Sequence, residues 1–196
     1  MNVLVVHAHP VADSYNHSLV VAATRGLVSA GHQVTALDLY ALDYRATMSE
    51  SEWKAYESDS PMIDPMVGEH VALIRAADAL VFIYPTWWSS MPAIMRGWIE
   101  RTMVKGVAFD LDERNRLRPG LKNLRHLVGI STYGSPWWYV KAVNDNGRRT
   151  VSRTIRFNTG VRTRVTWLGL YAMDRLSPEQ RVAFAARVEA RMQTLT

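Results

Sequence analysis

The chain has 196 residues, 48% hydrophobic and 21% charged, which is enough apolar material for one core and excludes bulk disorder. It carries a formal net charge of +5 and no cysteine, which excludes disulfides, thiol catalysis and cysteine metal sites and suits a reducing, cytoplasmic setting. No stretch has the layout of a secretory leader or the length of a membrane span: Ala76–Tyr84 is interrupted by Asp78 and stops at Pro85.

Taken in order, Asn2–Val6 reads as a buried parallel strand, a continuous run of β-branched and aliphatic residues. A short polar loop, His7-Ala8-His9-Pro10, leads to Ser14, an N-cap for a helix that runs to about Ser29. Leu19, Ala22, Ala23, Gly26 and Leu27 share one face of that helix, and Gly31 stops it. A second strand spans Gln33–Leu39. Tyr40–Pro65 is a long connection holding Met48, Trp53, Tyr56 and Met62, with a short helix starting near Ser49-Glu50-Ser51-Glu52. Met66–Ala76 reads as a helix feeding a third strand, Ala79–Tyr84. Ser90 is the expected cap of the next helix, whose buried stripe is Ile94, Met95, Trp98 and Ile99. Lys105–Asn123 is a charged connection, His126–Ser131 a fourth strand, Asp145–Asn158 a helix ended by Gly160, and Val161–Tyr171 a fifth strand. Ser177-Pro178-Glu179-Gln180 is a capping box for the last helix, with Ala185, Val188, Met192 and Leu195 at helical spacing.

Five strands alternating with helices in one domain predict an α/β fold, a doubly wound parallel sheet with helices on both faces. Ligands of such sheets sit at the carboxyl ends of the strands where strand order reverses, here after the first, third and fourth strands. The first of those loops ends in Ser14, Tyr15 and Asn16 at a helix start, with His9 beside them: donors for an anion, joined by free backbone N–H groups and the helix dipole. It has none of the glycines of a dinucleotide fingerprint or a Walker loop. The second and third loops, Pro85-Thr86-Trp87-Trp88 and Ser131-Thr132-Tyr133-Gly134 with Trp137, Trp138 and Tyr139 behind, offer broad aromatic faces and hydroxyls for the rim of a flat heterocycle. No metal site is read from the sequence. Arg148, Arg149, Arg153, Arg156, Arg162 and Arg164 form a basic stretch, read either as a solvated face or as phosphate recognition; no nucleic-acid motif accompanies it.

Together, His9-Pro10…Ser14-Tyr15-Asn16, Pro85-Thr86-Trp87-Trp88…Met91-Pro92 and Ser131-Thr132-Tyr133-Gly134 resemble the NAD(P)H:quinone oxidoreductase family of flavodoxin-like flavoproteins, over roughly residues 1–139. The resemblance implies FAD or FMN as cofactor, NAD(P)H as co-substrate, a quinone-like acceptor and a homodimer. It implies that His9, Ser14, Tyr15 and Asn16 hold the flavin phosphate. Pro85, Thr86, Trp87 and Trp88 would run along the ring, and Ser131, Thr132, Tyr133 and Gly134 would meet its pyrimidine edge. Tyr139 stands at the family's active-site tyrosine. The family's relay histidine, six residues later, is replaced by Asp145, which cannot serve as the same neutral donor. Tyr133 replaces a glycine, so either it takes a glycine-like conformation or the loop is reshaped. The competing readings are a regulatory subunit of a membrane potassium-efflux system and an electron-carrier flavodoxin.

Overall fold

The computed structural model describes all residues except Glu57, Asp59, Ser60 and Met62, so the expectation for Met62 lies outside the described residues. Five strands form one parallel sheet: β1 (Asn2–His7), β2 (Gln33–Asp38), β3 (Ala79–Pro85), β6 (His126–Thr132) and β7 (Arg164–Leu170), in the order β2-β1-β3-β6-β7. Every residue of β3 and β6 is buried, because helices cover both faces. Alternation along β1 shows this directly. Val3 and Val5 enter one core with Leu19, Ala23, Leu27, Val188 and Met192 of α1 (Tyr15–Ser29) and α7 (Pro178–Gln193), whereas Leu4 and Val6 enter the other. That second core includes Val67, Val71 and Ile74 of α3 (Pro65–Ala76) and Met95, Trp98 and Ile99 of α4 (Ala93–Thr102).

The caps at Ser14 and Ser177 form as expected, the latter a full capping box with Pro178 in the first turn. The long connection after β2 is not loose. Ser49 caps α2 (Glu50–Ala55), and Glu52 of α2 and Asp64, the N-cap of α3, both bind the guanidinium of Arg101, which is 3% exposed on α4. The same guanidinium lies 5.0 Å from the centre of the Tyr44 ring.

Five expectations are corrected. Ser90 does not cap α4; Pro92 holds that position without a side-chain cap, and Ser90 closes a turn described below. The Lys105–Asn123 connection contains an antiparallel hairpin, β4 (Phe109–Leu111) with β5 (Leu117–Pro119), whose turn is organised by Asp112 accepting from the Arg114 and Arg116 amides. The helix expected over Asp145–Asn158 begins with α6 (Asn146–Arg149) and widens into a π-helical turn over Thr150–Ile155, with Val151 and Ile155 buried as expected. A further short helix, α5 (Trp137–Ala142), takes up the aromatic residues read as loop. The last strand is shorter than read, Arg164–Leu170. Among the described residues no helix is long and apolar enough to cross a membrane.

Candidate active site

The strand order reverses between β1 and β3, and the loops after these two strands meet there: the rings of His9 and Trp87 are 6.3 Å apart. On the β1 side, Ser14 Oγ accepts from the His17 amide, and its own proton remains free to donate. His9 Nδ1 lies 3.1 Å from the Val11 amide and 3.2 Å from the Val11 carbonyl, so the ring is tied to the loop backbone through Nδ1 and its Nε2 is left for another partner. Tyr15 and Asn16 face elsewhere. Tyr15 Oη donates to the Arg181 carbonyl of α7, and burial, opposed by nearby Arg181, raises its pKa to about 12. Asn16 is 2% exposed, and its amide donates to Thr132 Oγ1 at 2.9 Å, leaving its buried Oδ1 without a partner. The sequence reading gave four phosphate donors; the structure offers two side chains, His9 and Ser14, with the first-turn amides of α1, while Tyr15 and Asn16 fix the helix in place.

On the β3 side the chain makes a two-residue turn. Trp87 and Ser90 exchange backbone hydrogen bonds at 3.0 Å, and the residues between them, Trp88 and Ser89, both have positive φ, +48° and +58°. A primed turn usually takes Asn or Gly there, and each non-glycine residue costs about 1–2 kcal/mol. The turn is held from behind by the Asn146 amide, which donates to the Ser89 carbonyl at 2.8 Å. Trp88 is consequently projected fully into solvent, at 100% exposure. Strain of this kind concentrates where a loop positions a ligand.

After β6 the polar side chains turn inward. Ser131 is fully buried; its Oγ donates to the Tyr84 carbonyl and pairs with Thr86 Oγ1 at 2.8 Å. Tyr133 is buried too, stacked on Tyr171 at 4.6 Å, and its hydroxyl donates to Asp145 Oδ2 at 3.0 Å. Neither Tyr133 nor Gly134 has positive φ; the left-handed residues fall instead at Asn144 and Asp145. The loop is therefore reshaped, and Asp145 partners Tyr133. Burial raises the Asp145 pKa against the Arg148 amide and the Tyr133 hydroxyl, which favour its charge.

Thr86, Trp88, Ser89, Tyr133, Gly134, Ser135, Tyr139 and Val140 enclose a pocket of about 170 Å³ between the β3 and β6 loops. Trp88 and Tyr139, which line it, and Trp87, Trp137 and Trp138, beside them in sequence, are all substantially exposed, apolar surface of the kind that marks a binding site. Across Val140 lies a second cleft of about 190 Å³ lined by Trp137, Lys141, Asp145, Arg148, Arg149, Arg153 and Tyr171. Arg156 does not belong to it; its guanidinium donates to the Gly160 and Val161 carbonyls. The α5 helix, Asp145 and this cleft were not found as a unit from the sequence, because the turn between α5 and α6 rests on two non-glycine left-handed residues.

Residues 1–194 match the model of a family described by its flavodoxin-like fold. The chain is 32% identical over 170 residues to human ribosyldihydronicotinamide dehydrogenase [quinone], covering 74% of this chain and 70% of that protein. The chain belongs to the flavodoxin-like quinone dehydrogenase family. Another member, NAD(P)H dehydrogenase [quinone] 1 of Rattus norvegicus, is 28% identical over 151 residues, 69% of this chain and 55% of that protein. The chain thus spans between half and 70% of the length of the curated relatives it matches. Among solved structures, the NAD(P)H:quinone oxidoreductase of Methanothermobacter marburgensis superimposes with a TM-score of 0.86 at 25% identity, covering 100% of this chain and 99% of that one. The two strained turns and the Tyr133–Asp145 pair are the local features of this member's family fold that position its loops.

Proposed function

We propose that this chain is a flavin-dependent NAD(P)H:quinone oxidoreductase. The observation that carries the proposal is the pocket between the β3 and β6 loops, walled by Trp88 and Tyr139 and set beside the capped start of α1. The residues fit a flavin: a flat slot with aromatic walls, hydroxyl and amide groups at its rim, and anion donors one strand away. A flavin, FMN or FAD, would supply two-electron redox chemistry between NAD(P)H and a quinone.

The chain's own residues then have distinct tasks. His9, Ser14 Oγ–H and the first-turn amides of α1 would hold the phosphate. Pro85, Thr86 and Trp87 would run along the ring, and Trp88 would shield it from water. Backbone groups at Gly134 and Ser135 bond the polar rim and favour negative charge there. Tyr139 donates a hydrogen bond to the acceptor oxygen as charge builds on it. Asn16, Ser131, Thr132 and Tyr133 act by holding the three loops in register. Lys141, Arg149 and Arg153 of the neighbouring cleft take the phosphates of the nicotinamide dinucleotide. The exposed tryptophans at the mouth are covered by a second copy of the chain, giving a homodimer. A cytoplasmic setting agrees with the lack of cysteine. The relatives named above are enzymes, so the regulatory reading draws no support from them.

Steady-state kinetics test the proposal. Flavin-loaded protein should turn over NAD(P)H with small benzoquinones and give parallel double-reciprocal lines, because both substrates use one site in turn. Flavin-loaded protein with no turnover over a series of quinones would remove the enzymatic reading.

A further inference from the structure

His7 ends β1 but is not part of the pocket described above. It is 2% exposed, on the face of β1 that α1 covers. Its Nδ1 lies 3.1 Å from the Ile83 carbonyl, which can only accept; Nδ1 therefore carries the proton and Nε2 presents a lone pair. Asp38 is His7's direct neighbour across the β1–β2 pairing. Its Oδ1 accepts from the Tyr40 and Ala41 amides, which orients the carboxylate and leaves Oδ2 for another partner. His17, exposed in the first turn of α1, sets its ring edge-on to that of His7 with centroids 6.1 Å apart. One ligand atom from each of the three residues lies within 4.8 Å of the other two.

We propose that His7, His17 and Asp38 form a binding site for a divalent transition metal ion, zinc in the first instance. Two imidazoles and one carboxylate suit zinc, nickel, cobalt or copper rather than magnesium or calcium, which prefer all-oxygen shells. Two of the three ligands already have the outer hydrogen bonds that metal ligands use, His7 to a backbone carbonyl and Asp38 to two backbone amides. Ligand atoms around a tetrahedral ion stand roughly 3.3 Å apart at zinc bond lengths. The cluster must therefore contract, and exposed His17 is the member free to swing. Three protein ligands leave a fourth position for water or an anion. The site joins β1, β2 and α1 at the edge that carries the first loop, and it does not depend on the flavin reading.

The test uses tag-free protein, stripped with a chelator and dialysed against Zn²⁺, with metal per chain measured by mass spectrometry and affinity by chromophore competition. We expect one Zn²⁺ per chain, unaffected by excess Mg²⁺. His17→Ala and Asp38→Asn should each weaken Zn²⁺ binding by at least about 10-fold. Asp38→Asn keeps an oxygen for the Tyr40 and Ala41 amides, and His17 is exposed, so both variants should retain the fold by circular dichroism. Electron paramagnetic resonance of the Cu²⁺ form should show two coupled nitrogens, and one in His17→Ala. Substoichiometric Zn²⁺, displacement by Mg²⁺, or affinity unchanged in both folded variants would overturn the assignment.

Discussion

The hydroxyl of Tyr133 donates to Asp145 Oδ2 at 3.0 Å, a buried pair at the two positions where the sequence departs from the glycine and relay histidine that the family resemblance implies. Burial makes Asp145 hold its proton to a higher pH in the folded chain than in the unfolded one. Between those two pKa values the folded state binds more protons, so this group's contribution to stability falls as pH rises through the window. Asn at this position keeps an oxygen for the Arg148 amide and sets its NH2 against the Tyr133 hydroxyl, which can turn to accept, so the shape is kept without the charge. Asp145→Asn should therefore gain thermal stability relative to the parent as pH rises from below the ordinary carboxylate range, while Tyr133→Phe should lose about 1–3 kcal/mol. Melting curves over a pH series check both; parallel curves for Asp145→Asn and parent would contradict the first.

Trp88 and Ser89 give a prediction in the opposite sense, stability traded against binding. Trp88→Ala removes a fully exposed side chain that adds nothing to the core, so the melting temperature should hold within the error expected for a surface change. Flavin retention should fall, read as flavin fluorescence in the filtrate. Ser89→Gly relieves a left-handed residue and should stabilise by up to about 1 kcal/mol.

Arg101 is the anchor of the long connection. Burial opposes the charge on Glu52, but hydrogen bonds from the Ser49 amide and hydroxyl and from Arg101 and Arg45 carry its pKa down to about 2. This contribution is complete above the ordinary carboxylate range and is lost as pH falls toward that value. Arg101→Ala takes the buried guanidinium from both Glu52 and Asp64, leaving Glu52 to Arg45 and Ser49, and should cost up to about 3–5 kcal/mol. Urea denaturation at pH 7 measures it, and the deficit should shrink at acid pH.

Tyr139 lines the pocket and is half exposed, with its hydroxyl available to a substrate. Tyr139→Phe should lower kcat with quinone by about 10–100-fold and leave flavin content unchanged. Unchanged turnover would take Tyr139 out of the mechanism.

The sheet and both outer helices were legible because their signals are local: Val3–Val6 is apolar throughout, and Ser14 and Ser177 cap the helices they precede. The motifs after the third and fourth predicted strands fall on the two loops that line the pocket, whereas the His9–Asn16 motif lies beside it. Their side-chain directions were not legible, since Asn16, Ser131 and Tyr133 spend their polar groups on partners 116, 47 and 12 residues away. Ser90 has the chemistry of a cap, yet the turn through Trp88 and Ser89 takes it, because the Asn146 amide holds that turn from another segment. The His7, His17 and Asp38 group has no motif spacing at all; the β1–β2 register and the return of α1 bring it together.

The most direct measurement is the visible absorption spectrum of the purified protein, taken anaerobically before and after NAD(P)H and again after a benzoquinone. Flavin bands that bleach with NAD(P)H and return with the quinone are the expected result, with a stoichiometry near one flavin per chain. A protein that remains colourless after incubation with both FMN and FAD would contradict the oxidoreductase assignment.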